Sequence, residues 1–408
     1  MTTRVVLVFA LLLGASTIPA AAAEKQAISP PDVKPVGPYS PGIMVGEFLY
    51  VSGQGAKRPD GSIPDTLAGQ IHQSLENVKS VVQAAGLTLD HLVFTQVYLT
   101  ESTNEDELNR VWREVFSKNP PARSTIGVAR LPGTPVEVAA IAVKDLSRKK
   151  RIAPPGYPES SPIAPGIMVG GRLYLSGFLG RDINTGKIPD DPAAQVELSL
   201  DRMRQTLVAA GMDYSNLVFV NPYLTTRIPM NIMNRIYASH FEFGNTPARA
   251  TIEVASLPNG ANIEFSGVAV RDLSQRRAVR PKNMEPSPTA SPCVFAGDTL
   301  YCSAKSGFIP GPRSGIYASS VEEQVRQTMR NLLDGLEEAG MNLSDVVASN
   351  VYLNDMNDFA RMNAVYAEYF PNTPPARTTV QQIPAREPKA DKRGRWPTLE
   401  QISIVAVK

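Results

Sequence analysis

The sequence predicts three α+β domains in tandem, each a mixed sheet with two helices on one face and the element order β-β-α-β-α-β-β. Two observations carry the count. Pro121-Ala122-Arg123-Ser124-Thr125 returns as Pro247-Ala248-Arg249-Ala250-Thr251 and again as Pro375-Ala376-Arg377-Thr378-Thr379. The three arginines lie 126 and 128 residues apart, too far for solenoid units of about 20 to 50 residues and suited to whole domains. A third observation sets the class: within each interval, short apolar runs of strand character alternate with two longer runs of helical spacing.

The first domain is placed at residues 28–145. Apolar runs at 42–45 and 48–52 flank Gly46-Glu47, the spacing of a two-residue hairpin turn. Over 70–85, Ile71, Leu75, Val78, Val81 and Val82 recur at helical intervals, and Gly86 supplies the stop. A β-rich run at 92–99, an amphipathic helix at 105–116 and strands near 125–128 and 136–143 complete the unit. The second domain, 152–272, repeats it: a hairpin at 167–176 around Gly170-Gly171, a helix at 195–210 stopped by Gly211, a strand at 217–224, a helix at 231–241 and strands after Arg249. The third, 283–408, does so from Cys293 onward. The basic clusters at 148–151 and 276–277 between domains read as solvated linker charge. A basic loop at 386–397 has no counterpart in the other two copies.

Residues 1–23 read as a secretory signal, with Arg4, an apolar stretch at 5–13 and Ala21-Ala22-Ala23 before Glu24. The expected location is secreted or periplasmic, with an uncleaved anchor as the alternative. Composition narrows the function. Forty-one basic against 39 acidic residues give a net charge of +2, too even for a nucleic-acid footprint or a polybasic membrane patch. Two cysteines and three histidines are too few for tetrahedral zinc coordination, and no histidine stands in a repeated motif to build a nucleophilic triad. No metal and no cofactor is expected, and the partner is a small molecule.

Six separate motifs of the first domain carry a resemblance. They are Gly37-Pro38-Tyr39-Ser40, Tyr50-Val51-Ser52-Gly53-Gln54, Gln73-Ser74-Leu75-Glu76-Asn77-Val78, the helix holding Asn109, Pro121-Ala122-Arg123-Ser124-Thr125, and Leu131-Pro132 followed by Glu137. Together they resemble the RidA/YjgF family of enamine and imine deaminases, and in weaker form the second and third domains do too. The resemblance implies a chorismate mutase-like fold and, with three copies in one chain, an intramolecular pseudo-trimer with clefts between domains and no further subunits. It implies hydrolysis of 2-aminoacrylate-like imino acids to 2-keto acids and ammonia. It assigns Arg123 as the carboxylate clamp, the main-chain carbonyl of Thr125 and the side chain of Glu137 as the holders of the attacking water, Tyr39 and Ser52 as the substrate's border and Asn109 as support. A guanidinium offers the planar donor pair that a carboxylate takes. A protonated imine carbon is already electrophilic, so orientation supplies much of the rate.

The copies differ. Tyr39 becomes Ile163 and then Ala290; serine persists as Ser176 and Ser303, asparagine as Asn234 and Asn363, and the arginine as Arg249 and Arg377. Glu137 persists as Glu264 but becomes Gln401, while Gly53-Gln54 becomes Gly177-Phe178 and Ala304-Lys305. The first domain alone holds every family residue, yet clefts formed between domains need not follow that count. Two other readings stay open: a non-catalytic binder of small carboxylates, favoured by Gln401 and the lost tyrosines, and a relative acting on chorismate-like carboxylates, favoured by a second cation such as Lys305. A ribonuclease role finds no basic groove and no repeated general base. Without the family, Tyr39 is a turn-packing aromatic, Ser52 a strand-end hydroxyl and Asn109 a helix-surface residue. Finally, a turn at Gly297-Asp298 sets Cys293 opposite Cys302 at a non-hydrogen-bonded position. There Cα atoms approach to about 4.5 Å, within reach of a disulfide; two small buried thiols are the alternative.

Overall fold

The computed structural model describes residues 24–408 apart from 32, 34, 101–104, 283 and 312–314; the expected signal segment lies outside the described residues. The first domain runs β1 (Gln26–Ile28), β2 (Gly42–Val45), β3 (Phe48–Gly55), α1 (Leu67–Ala84), β4 (Leu92–Leu99), α2 (Glu105–Val115), β5 (Ala122–Gly127) and β6 (Val136–Val143). The second runs β7 (Lys149–Ile152), β8 (Gly166–Val169), β9 (Arg172–Leu179), α3 (Pro192–Ala209), β10 (Leu217–Leu224), α4 (Met230–Ala238), β11 (Ala248–Arg249), β12 (Ile252–Glu253) and β13 (Ile263–Val270). The third runs β14 (Arg276–Val279), β15 (Cys293–Ala296), β16 (Thr299–Lys305), α5 (Val321–Glu338), β17 (Val346–Leu353), α6 (Phe359–Tyr369), β18 (Ala376–Gln381) and β19 (Glu400–Val407).

The sheets share one topology, β1-β2-β3-β6-β4-β5 in the first domain and its equivalents in the others. β4 and β5 run parallel, as do β10 with β11 and β12, and β17 with β18; the other neighbours are antiparallel. Local chemistry fixes the ends of the elements. The hairpin glycines Gly46, Gly170 and Gly297 hold φ of +54°, +58° and +64°, a region that disfavours a Cβ. Thr66, Asp191 and Ser320 cap α1, α3 and α5 by accepting a backbone N–H, from Gly69, Ala193 and Glu323 respectively.

Each sheet is buried on both faces. One face receives its own two helices: Ile71, Leu75 and Val78 of α1 pack on Leu49, Val97 and Val138. The other faces the two sister sheets. Ile43 and Tyr50, Ile167 and Tyr174, Val294 and Tyr301 come from three domains into one apolar cluster, and Tyr98, Tyr223 and Tyr352 into a second. A full set of such residues, each contributing about 1.5 to 3 kcal/mol on burial, ties the stability of each domain to the other two. The chain is an intramolecular pseudo-trimer.

The first strands of the three sheets correct the reading of the basic clusters. Lys149 begins β7, which pairs with β8, and its ammonium donates to the carbonyls of Asp90 and Asn119 in the first domain at 2.9 and 2.8 Å. Arg276 of β14 reaches Leu217 O in the second domain at 2.9 Å, and Lys25 reaches Val346 O and Thr373 O in the third at 2.6 and 2.9 Å. These are interdomain clamps. Exposed carbonyls at strand and turn ends are strong acceptors that apolar neighbours cannot satisfy, so a cation is retained at each seam. Burial pushes Lys149 and Lys25 down to about 8.

Cys293 and Cys302 stand opposite each other in β15 and β16, as the turn count predicts. They form a disulfide with an S–S distance of 2.03 Å and Cα atoms 4.0 Å apart. Its sulfur meets α5 at Gly335, where a methyl group would lie 2.9 Å from Cys293 Sγ. In the first domain the sizes are exchanged: the strand residue is Gly42, and a methyl there would lie 2.9 Å from Val81 Cγ1 of α1.

Candidate functional site

Three seams between domains carry the repeated polar residues, and each seam mixes two domains. In every case the arginine of one domain donates its backbone N–H to the serine hydroxyl of the next: Arg123 to Ser176, Arg249 to Ser303 and Arg377 to Ser52, each at 2.8 Å. The serines in turn donate to a carbonyl in their own domain, Ser52 to Ser40 O at 2.6 Å. The arginines are oriented from behind by the equivalent asparagines. Arg123 donates to Asn109 Oδ1 at 2.6 Å, Arg249 to Asn234 at 2.8 Å and Arg377 to Asn363 at 2.7 Å. The links run from domain 1 to 2, from 2 to 3 and from 3 back to 1.

This direction redistributes the residues that the first domain holds together in sequence. Arg123, Thr125 and Asn109 face Ser176 and Glu264 of the second domain, whereas Tyr39, Ser52 and Glu137 face Arg377, Asn363 and Thr379 of the third. Arg123 and Glu137 are therefore not partners. The physical reason is that the arginine strand β5 is an edge strand separated from the serine strand β3 by β4 and β6, so the two meet different neighbours.

In the 3/1 cleft, Arg377 is 5% exposed and Glu137 6%. The guanidinium carbon lies 4.9 Å from the Tyr366 ring centroid, 5.6 Å from Tyr39 and 5.9 Å from Phe359. These rings stack a cation and exclude water from it. Burial pushes Glu137 up to about 8 from its ordinary 4.5, with Arg377 pulling the other way. The carboxylate folds over bare backbone, since a methyl on Gly53 would stand 1.9 Å from Glu137 Oε1. Three buried polar atoms here have no protein partner: Arg377 Nη1, Glu137 Oε1 and Thr379 Oγ1. Buried groups in that state are what a ligand or ordered water satisfies.

The 1/2 cleft has the same frame and different contents. Ser124 donates its hydroxyl to Glu264 Oε1 at 2.5 Å, and Glu105 places a carboxylate oxygen 3.9 Å from the Arg123 guanidinium. Arg123, 5.0 Å from the Trp112 ring centroid, is pushed down to about 10 by burial, with Glu105 and Glu264 opposing. Burial holds Glu264 at about 8. The carboxyl of this seam is thus already engaged by a protein hydroxyl, whereas Arg123 Nε and Nη1, like Arg377 Nη1, are buried without a partner. In the 3/1 cleft the residue matching Ser124 is Thr378, which donates to Asn350 at 2.7 Å instead, and the residue matching Glu105 is the apolar Phe359. The 2/3 cleft contains Arg249, Ser303, Gln401 and Lys305 around a cavity of about 300 Å3.

Sequence reasoning did not single out Glu105 or the pairing of Arg377 with Glu137. The loss of tyrosine and glutamate along the copies carried the second signal, but only together with the direction of the domain ring. Among the described residues there is no group of three or more histidine, cysteine or carboxylate side chains arranged to hold a metal.

The family model described as Endoribonuclease L-PSP matches residues 30–144, 159–271 and 282–389. A RutC family protein of Saccharolobus solfataricus is 41% identical over 114 residues, covering 27% of this chain and 90% of that protein. The 2-iminobutanoate/2-iminopropanoate deaminase of Escherichia coli is 38% identical over 114 residues, 27% of this chain and 89% of the relative. Among solved structures, the YjgF gene product of Escherichia coli is 35% identical with a TM-score of 0.28, covering 29% of this chain and 99% of that one. Matched in triplicate along most of its length, the chain belongs to the RidA/YjgF family and carries three of the family's domains in one polypeptide.

Proposed function

We propose that the chain hydrolyses small 2-imino acids to 2-keto acids and ammonia in the 3/1 cleft, as the name of its Escherichia coli relative describes for 2-iminobutanoate and 2-iminopropanoate. The observation that carries the reading is the pair Arg377 and Glu137, brought together from the third and first domains with Nη1 and Oε1 both buried and unpartnered. Arg377 receives the substrate carboxylate, while Asn363 and Ser52 hold the arginine's side chain and backbone in place. Tyr39 closes one wall. A water between Glu137 and the main-chain carbonyl of Thr379, the equivalent of Thr125, attacks the imine carbon.

The steps balance without a covalent enzyme intermediate. Water oxygen bonds to the imine carbon and its proton passes to the Glu137 carboxylate. The carboxyl then returns that proton to nitrogen; as the C–N bond breaks, the carboxylate takes the remaining hydroxyl proton and passes it to the departing ammonia, and the C=O bond of the 2-keto acid forms. A carboxyl held near 8 by burial is suited to both halves, because general acid–base catalysis is best with a pKa near the working pH.

The test is ammonia release from imino acids generated in situ. Arg377→Ala and Glu137→Gln are each expected to lose at least about 100-fold in kcat/KM, equivalent to about 2.7 kcal/mol, with Arg249→Ala within a few-fold of the parent. Loss on Arg249→Ala with retention on Arg377→Ala would move the reaction to another seam and end this assignment.

A further inference from the structure

We infer that the 2/3 cleft is a second, non-hydrolytic site that takes a small dicarboxylate. Arg249 is mounted like its two sisters, on Ser303 and Asn234 at 2.8 Å each. Its surroundings differ from theirs. Arg123 has Glu105 and Glu264 as electrostatic neighbours and Arg377 has Glu137, whereas Tyr237 is the opposing neighbour of Arg249. Among the described residues no carboxylate comes within 4.0 Å of its guanidinium.

A second cation shares the cavity. Lys305 replaces Gln54 and Phe178 and lines the same space of about 300 Å3, together with Thr251, whose buried hydroxyl has no partner. Asp334, the one acid that acts on Lys305 at longer range, is itself bonded to Arg330 at 3.2 Å. Glu285 stands at the exposed rim. The interior therefore presents two separate positive groups with no buried anion between them. One monocarboxylate satisfies only one of the two, and a molecule with a carboxylate at each end satisfies both.

Two substitutions remove the hydrolytic equipment together. Gln401 cannot accept a proton from water as a carboxylate does. Ala304 adds a methyl group at the place where, in the first domain, a methyl would stand 1.9 Å from the carboxylate oxygen. Ala290, in place of Tyr39, leaves the room that the cavity occupies. The site so described has a volume at the lower end of the range of about 300 to 1,000 Å3 for small-molecule sites.

Isothermal titration of the full chain with succinate and with propionate tests the inference independently of any turnover. Succinate is expected to bind one site per chain, and Lys305→Gln to weaken it at least about tenfold, equivalent to about 1.4 kcal/mol, while changing propionate binding less than twofold. Arg249→Ala should abolish succinate binding and Arg377→Ala leave it intact. Imine hydrolysis by Lys305→Gln should match the parent. Unchanged succinate affinity in Lys305→Gln, absence of succinate binding by the parent, or its loss in Arg377→Ala would each overturn the inference. Should Lys305→Gln fail to fold, as read from its circular dichroism, Lys305→Met is scored by the same criteria.

Discussion

A single glycine decides whether a cleft can hold its acid. The Glu137 carboxylate rests on Gly53 and that of Glu264 on Gly177, where methyl groups would lie 1.9 and 2.0 Å away. Gly53→Ala is therefore expected to displace Glu137 and lose imine hydrolysis at least as far as Glu137→Gln, with little change in the Arg377 mounting. Conversely, Gln401→Glu adds no volume, so its cost is that of placing a carboxylate in a partly buried position, and the fall in melting temperature should shrink as pH is lowered and the carboxyl protonates. The pH dependence of hydrolysis follows from the Glu137 carboxyl. Glu137 must be ionised to take the proton from water, so kcat/KM is expected to rise with pH and level off above about 8, and Glu137→Gln should remove that limb. A flat profile in the parent would exclude Glu137 as the base. These residues were legible in the sequence as an inventory: arginine, glutamate, serine, asparagine and the decaying tyrosine. Their partnership was not, because a repeat records what each domain contains and not which neighbour it faces.

Elements were legible where periodicity is strong and opaque where strands are short and charged. The hairpins, the helices and the Cys293–Cys302 register all follow from spacing and turn residues. β1, β7 and β14 did not, because runs of three or four residues at or just after a lysine or arginine lack the alternation that marks a strand, and that cation is held by a neighbouring domain's carbonyls. At this scale α5 makes a prediction of changing sign. Gly335→Ala should add up to about 1 kcal/mol of helix propensity, yet its methyl would meet Cys293 Sγ at 2.9 Å. The variant is expected to melt below the parent, and above it when placed in Cys293→Gly/Cys302→Val, which restores the first domain's pairing of strand glycine with helix side chain. Reduction of the disulfide, closing a span of nine residues, should remove about 2 to 3 kcal/mol on the chain-entropy account. β19 carries a second test. Glu400 is buried, accepts a bond from Thr328 Oγ1 at 2.5 Å, and is pushed up to about 8 by burial. A carboxyl raised in the folded state favours folding below its ordinary 4.5, and that contribution is lost as pH rises through about 8. Glu400→Gln is expected to flatten the fall in melting temperature between pH 5 and 8, and an unchanged slope would count against a buried protonated Glu400.

Across the whole molecule the three-way closure predicts a single chain in solution, because each domain already meets two sisters and the apolar faces are covered. Light scattering should give one chain mass, and a threefold multiple would contradict this. The three-way closure was implied in the sequence by the family resemblance; the order of the ring required the structure. That order has a temporal side. The proposed reacting pair joins the first domain's Glu137 to the third domain's Arg377, so a ribosome must finish nearly the whole polypeptide before the two can meet. A nascent chain that has released two domains owns the frame of the 1/2 seam, where Glu105 already lies against Arg123, but not the 3/1 seam. Catalysis is then the last property the molecule acquires as it is made, and a product truncated before Arg377 would be without it, however well its first two domains fold.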